Sequence, residues 1–185
     1  MSIILRAIEE TDLEMIMNWR MDPEITKWMS TDPKLTLDGQ RKWLANIRNN
    51  PTVSYWLIVV EGTPAGVINL ADMNIEKGEC SWGYYVGDKK LRSLKLAMYL
   101  EMNLYDHVFC TLGFEKLQYP VFSMNAGVIK LHEMCGSRIV EEIQGGIVKE
   151  QTAYDVTIMC NTKDEWLAKR ETVNYEKIEF PKVSA

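Results

Sequence analysis

The chain has 185 residues, 46% of them hydrophobic and 25% charged, and a net charge of −5. That mixture suits a globular domain. Lys and Arg are scattered among acids with no long basic run, which argues against a nucleic-acid groove. No apolar run reaches the roughly 20 residues of a membrane helix. Cys80, Cys110, Cys135 and Cys160 show no metal-ligand spacing, so no metal is expected. With no signal peptide read at the N-terminus, the expectation is a cytoplasmic protein with reduced, mostly buried thiols.

In chain order, "IILRAI" reads as a short strand, and "TDLEMIMNWR" as a helix capped at Thr11 or Asp12. "MDPEITKWMSTDP" carries two Asp-Pro steps and reads as a loop with a helical turn. "TLDGQRKWLANIRNN" starts at a capping Thr36 and places Trp43, Leu44 and Ile47 on one stripe, a second helix. "SYWLIVV" and "GVINLADM", joined through "EGTPAG", form a hairpin. "ECSWGYYVG" follows as a third strand, in which Gly83 marks a bulge or a close backbone approach. The stretch from Asp88 to Gly113 is a long helix with a glycine stop. "EKLQYPVFS" is a strand. A short helix over Asn125–Cys135 leads into two strands around Gly145-Gly146, and "TKDEWLAKR" is a short last helix. The order β-α-α-β-β-β-α-β-α-β-β predicts an α+β fold, a mixed α/β sheet with a parallel pair flanking the long helix. Residues 1–170 are expected to form a single domain and 171–185 a C-terminal tail.

The stretch "YYVGDKKLRSLKLA" ends a strand and opens a helix. Amides of a first helical turn lack intrahelical partners and, with the dipole, favour an anion. Lys89, Lys90, Arg92 and Lys95 add positive charge, so a pyrophosphate is the natural guest. A solvated basic loop is the plainer alternative.

The element order resembles the GNAT N-acetyltransferase family over nearly the whole chain. In that family an [R/Q]-x-x-G-x-[G/A] loop holds the pyrophosphate of acetyl-coenzyme A (acetyl-CoA). Here it reads Arg92-Ser93-Leu94-Lys95-Leu96-Ala97, with Lys95 in place of the central glycine. The family's N-x-x-[A/S]-x-x-[L/F]-Y-x-x-x-G-F segment is matched by Asn125, Leu131 and Gly136. Val128 and Ser137 depart from it, and His132 stands at the tyrosine position. The resemblance implies a GNAT-type acyl-CoA N-acyltransferase fold and acetyl-CoA as co-substrate. It implies cofactor contacts from Tyr84, Tyr85, Val86, Leu91, Arg92, Lys95, Leu96, Ala97, Asn125 and Lys130. The backbone of Tyr84–Val86 would run along the thioester, and His132 would sit near its sulfur. A thiol of pKa about 8.5 leaves as a thiolate when an amine attacks, and an imidazole N–H can donate to it. For the proton acceptor, Glu79, Ser81 and Asp72 lie on neighbouring strands, and a water chain would also serve. Glu79 is taken with His132 as the catalytic pair. His107 reads as structural.

The N-terminal third resembles the acetyltransferases of the pseudaminic acid pathway, on Arg20, Trp28, Met29, Gln40, Trp43 and the later "YDVTIMCNTKDEW". That resemblance implies acetyl transfer to the 4-amino group of a UDP-linked amino-dideoxy sugar used in flagellin glycosylation. Arg20, Trp28, Met29 and Gln40 would bind that substrate, in a monomer or homodimer with no nucleic-acid or membrane partner. An N-terminal acetyltransferase of the ribosomal-protein type is the alternative within the family. A catalytically degraded CoA-binding domain is the alternative outside enzymes, motivated by Lys95 and His132 at motif positions.

Overall fold

The computed structural model describes residues 1–183. Its elements are β1 (Ile3–Arg6), α1 (Leu13–Met21), α2 (Pro23–Thr26), α3 (Leu37–Asn49), β2 (Ser54–Val60), β3 (Thr63–Asn74), β4 (Glu79–Val86), α4 (Leu94–Tyr105), β5 (Lys116–Phe122), α5 (Ala126–Cys135), β6 (Arg138–Lys149), β7 (Thr152–Thr162) and α6 (Lys163–Arg170). This is the expected α+β order, with the helical turn of the Asp-Pro loop realised as α2. The chain divides into two compact units.

The first unit holds Met1–Ala71, Gly83–Arg92 and residues 179–183. Here β1, β2 and β3 form an antiparallel meander, with Leu5 opposite Ile58 and Leu57 opposite Val67. Residues Glu61 and Gly62, at φ 49 and 78, make the hairpin turn, so Thr63 and Pro64 already belong to β3. One face of α1, Leu13 and Ile16, packs with Leu44 of α3 onto Leu57, Val59 and Val67. Arg6 pins the start of α1 by two 2.7 Å hydrogen bonds to the carboxylate of Asp12.

The second half of β4 also lies in this unit, and the close approach falls on a different glycine from the one expected. A Cβ on Gly83 would meet Asn69 Oδ1 at an ordinary 3.5 Å. A Cβ on Gly66 of β3 would lie 2.0 Å from the Tyr85 carbonyl oxygen. Gly66 is therefore what lets β3 and the Tyr85–Val86 backbone touch.

The second unit holds Asp72–Trp82 and Ser93–Ile178. The first half of β4, then β5, β7 and β6 lie side by side in that order. The β4–β5 pair is parallel, as the intervening helix requires. Helix α4 buries Leu96, Leu100, Met102, Leu104 and Tyr105, and continues as one π-helical turn, Asp106–Thr111. Gly113, at φ 73, stops it.

Gly145-Gly146 is not the β6–β7 turn. That turn is made by Glu150 and Gln151, at φ 47 and 68, while Gly145 sits inside β6 at φ 62, where the register shifts between Ile143 and Ile147. The glycines form a bulge, secured by the Gly145 amide donating to Asp155 Oδ1 at 2.9 Å.

The C-terminal residues are bound at several points. Asn103 donates to the Glu176 carbonyl at 2.9 Å and accepts from the Ile178 amide at 2.7 Å. Asp106 accepts from Trp166, Tyr175 and Lys177, and pairs with Arg170 at 2.8 Å. Burial pushes the Asp106 carboxyl up, but the hydrogen bonds from Lys177, Tyr175 and Trp166 outweigh it and hold it below the usual range.

Candidate active site

The β4–β5 ladder is short. Its register pairs Glu79 with Lys116 and Cys80 with Leu117. The next residues on that face are Trp82 and Tyr119, both buried, whose rings meet edge-on at 5.3 Å. Helix α5 brings His132 onto both rings, at 5.6 Å from Trp82 and 5.0 Å from Tyr119. His132 therefore lies where the ladder stops.

Behind it is a polar cluster that sequence reasoning missed. Glu101, wholly buried on α4, lies 2.9 Å from His132 Nδ1 and accepts from the Tyr105 hydroxyl. Ser137 Oγ joins Tyr105 at 2.7 Å and Tyr119 at 2.9 Å. Burial first, and the Glu101 charge second, push both tyrosine hydroxyls well above their ordinary range. Burial and Glu101 do the same to the Cys135 thiol, and burial alone takes Cys80 to about 12. Neither thiol is a nucleophile at neutral pH. One signal was present in the sequence: a lone acid inside the apolar run "LAMYLEMNLY".

Glu79 sits on β4 with its carboxylate 2.7 Å from Lys116 Nζ, and the hydrogen bond from Lys116 holds it below the usual range. That lowers its basicity, the reverse of what a proton acceptor at neutral pH needs.

The α4 start has the expected form. Ser93 caps the helix by accepting from the Leu96 amide at 3.1 Å, which leaves the Leu94 and Lys95 amides without intrahelical partners. Leu96 has 0% exposure, so its side chain belongs to the core. The Lys95 ammonium lies 5.1 Å over the Tyr99 ring. Just before it, residues Lys89–Leu91 form a 3₁₀ turn capped by Asp88. Arg92 folds back to donate to the Val86 carbonyl at 3.0 Å. Lys89 pairs with Asp22 at 3.2 Å. A depression of about 510 Å³ in the first unit has Met15, Trp19 and Gly87 in its walls and Lys89 and Lys90 on its rim. The Trp19 ring is seated on Gly87, where a Cβ would come within 2.1 Å of it. Tyr85 packs edge-on against Trp19 at 6.4 Å, while Tyr84 is half-buried on the same strand.

Asn125 begins α5, and its side chain does not cap the helix. Lys130 is exposed, 3.8 Å from Glu133. In the N-terminal segment Arg20 contacts the Met29 sulfur and donates to Thr31 Oγ1 at 3.2 Å. Trp28 is 41% exposed. Gln40 is buried on α3. Trp43 packs edge-on against Tyr55 at 5.3 Å within the first unit's core. Among the described residues no cluster of His, Cys, Asp or Glu is arranged to hold a metal, and no helix is long and apolar enough to cross a membrane.

β4 and β5 thus form a parallel pair with a two-position ladder, and the helix that joins them starts at a capped turn after a basic stretch. The family described as acetyltransferase (GNAT) domain matches residues 2–138, and the chain belongs to it: it is an acetyl-CoA-dependent N-acetyltransferase. No curated protein matches the sequence. Among solved structures, the spermidine N-acetyltransferase from Vibrio cholerae in complex with CoA and spermine superposes with a TM-score of 0.83 at 18% identity, covering 89% of this chain and 98% of that one. A chimera of that enzyme and hSSAT gives 0.82 at 18% identity, covering 90% and 99%. A dodecameric form of the Vibrio cholerae enzyme in an intermediate state gives 0.77 at 17% identity, covering 90% and 97%. At these identities the likeness establishes the fold.

Proposed function

We propose that the acceptor is the 4-amino group of a UDP-linked 4-amino-4,6-dideoxy sugar, the step of the pseudaminic acid pathway that the N-terminal third resembles. The observation that carries this is the charge state around Arg20. Two acids of that segment are already paired, Asp22 with Lys89 at 3.2 Å and Glu24 with Lys27 at 2.9 Å. Hydrogen bonds hold both carboxyls below their usual range, from the Glu24 amide and Lys89 for Asp22 and from Lys27 for Glu24. A polyamine needs unpaired carboxylates. A nucleotide diphosphate needs a guanidinium and an exposed ring, which Arg20 and Trp28 offer, with Met29 beside them. Lys90, which lines the first unit's depression, adds a positive charge that favours an anion.

In this reading the acetyl-CoA arm follows the backbone of Tyr84, Tyr85 and Val86. Its diphosphate meets the Leu94 and Lys95 amides with Leu91, Arg92, Lys95 and Ala97. Asn125 and Lys130 contact the remainder of the cofactor. Residues 1–170 act as one catalytic domain, in the cytoplasm, as a monomer or homodimer. Gln40 and the Leu96 side chain are left to packing.

Thiol release from acetyl-CoA is measured with UDP-4-amino-4,6-dideoxy sugars, spermidine and peptide N-termini as acceptors. Release with the nucleotide sugar alone is the expected result. Release with spermidine or peptides and not the sugar overturns the substrate, and leaves the enzyme class intact.

A further inference from the structure

We infer that Glu101 and His132 form a dyad that carries the amine's proton to the departing sulfur, with His132 Nε2 as the shuttle and Glu101 as its positioning residue. The inference rests on the reading that the thioester lies against α5 where the β4–β5 ladder stops.

A carboxylate oxygen only accepts, so the 2.9 Å contact to Glu101 Oε1 requires the proton on His132 Nδ1. Nε2 is then the ring nitrogen left with a lone pair, and the dyad assigns it to the reacting groups. The ring cannot rotate freely. Trp82 and Tyr119 pack edge-on against it, from β4 and β5, and only 4% of the residue is exposed.

The energetics make Glu101 more than filler. A carboxylate with no exposure costs several kcal/mol in desolvation. Its Oε1 meets His132 and the Tyr105 hydroxyl, and the Cys135 thiol lies beside it, so no cation of Lys or Arg is paired with it among the described residues. Packing alone would be served as well by an uncharged side chain of the same volume. What only a carboxylate does is hold Nδ1–H and stabilise the cation that appears if Nε2 takes a proton. This is the division of labour of an Asp–His pair in serine hydrolases, where the acid fixes the tautomer and the imidazole moves the proton.

The step balances. The amine nitrogen bonds to the acetyl carbon, and the carbon–sulfur bond breaks with its electron pair on sulfur. Nε2 accepts the proton shed by the new amide nitrogen and delivers it to the thiolate. His132 begins and ends neutral, with Nδ1–H on Glu101. One residue thus serves as acceptor and donor, and Glu79, held anionic by Lys116, is not needed.

Three measurements test this, using the amine that supports turnover. His132→Asn keeps a donor where Nδ1 stood and removes Nε2. It is expected to lower kcat by roughly 10²–10³-fold with little change in CoA affinity. Glu101→Gln, of nearly the same shape, is expected to lower kcat by about 10–100-fold. For both, the loss should shrink when acetyl thioesters of more acidic thiols replace acetyl-CoA, because a better leaving group needs less proton delivery. A residue that only supports the fold would lower all donors alike. Nitrogen NMR of labelled histidine in the unaltered protein should show His132 protonated at Nδ1, and needs no variant to fold. Protonation at Nε2, or unaltered kcat in His132→Asn with CoA still bound, overturns the dyad and leaves acetyl transfer standing. Failure of the unaltered protein to bind CoA overturns the reading beneath it.

Discussion

Gly66→Ala should damage both stability and cofactor binding, through a single contact. The added Cβ would stand 2.0 Å from the Tyr85 carbonyl oxygen and 2.9 Å from Val86 Cα. Both are backbone atoms, so no rotamer change relieves the overlap; β3 or β4 must move. Forced overpacking of this kind costs about 1–3 kcal/mol, and a backbone clash belongs at the upper end. For a chain of this size that lowers the melting temperature by roughly 4–10 °C. The displaced strand segment is the one proposed to follow the thioester, so CoA binding should weaken as well. Gly127→Ala is the matched control. It lies in α5 with nothing within 4 Å of the added Cβ, and should stabilise by about 0.5–1 kcal/mol. Calorimetric melting and CoA titration of the two variants provide the test. A Gly66→Ala protein that melts and binds as the unaltered one does would refute the claimed approach of the two backbones.

Burial lowers His107 to about 4, below the ordinary value near 6.5. Between those values the unfolded chain takes up a proton that the folded one refuses, so stability should fall as pH drops through this window. After solvent screening the loss is about 1–2 kcal/mol, and urea midpoints for His107→Gln should vary less between pH 7 and pH 4.5. Asp106→Ala strips an acceptor from Trp166, Tyr175 and Lys177, and should cost about 2–4 kcal/mol and expose the chain beyond Arg170 to limited proteolysis. Arg92→Ala should weaken CoA binding, by less at high salt than at low salt, as titration at two ionic strengths would show.

Much of the fold could be read because local signals agreed. Thr36 caps α3 through its side chain, Gly113 ends the long helix, and the length of that helix required β4 and β5 to be parallel. The failures were places where a residue answers to a distant neighbour. Gly145-Gly146 has the composition of a turn, but Asp155 across the hairpin draws it into a bulge, and Glu150-Gln151 turns instead. Gly83 and Gly66 look alike in sequence, and only strand packing tells which one the backbone presses on. The site was half legible. Its motif positions marked Arg92, Asn125 and His132, while Glu101 answers to a histidine 31 residues away on another helix, which helical periodicity cannot show.

The side chain of Asn103 treats the passing C-terminal segment as an edge strand would, one hydrogen bond given at Glu176 and one taken at Ile178. An expression product that ends soon after α6 would leave the buried Asn103 oxygen without its donor, and Asp106 with Trp166 and Arg170 but without Tyr175 and Lys177. The shortest well-behaved version of this enzyme therefore extends at least through Ile178.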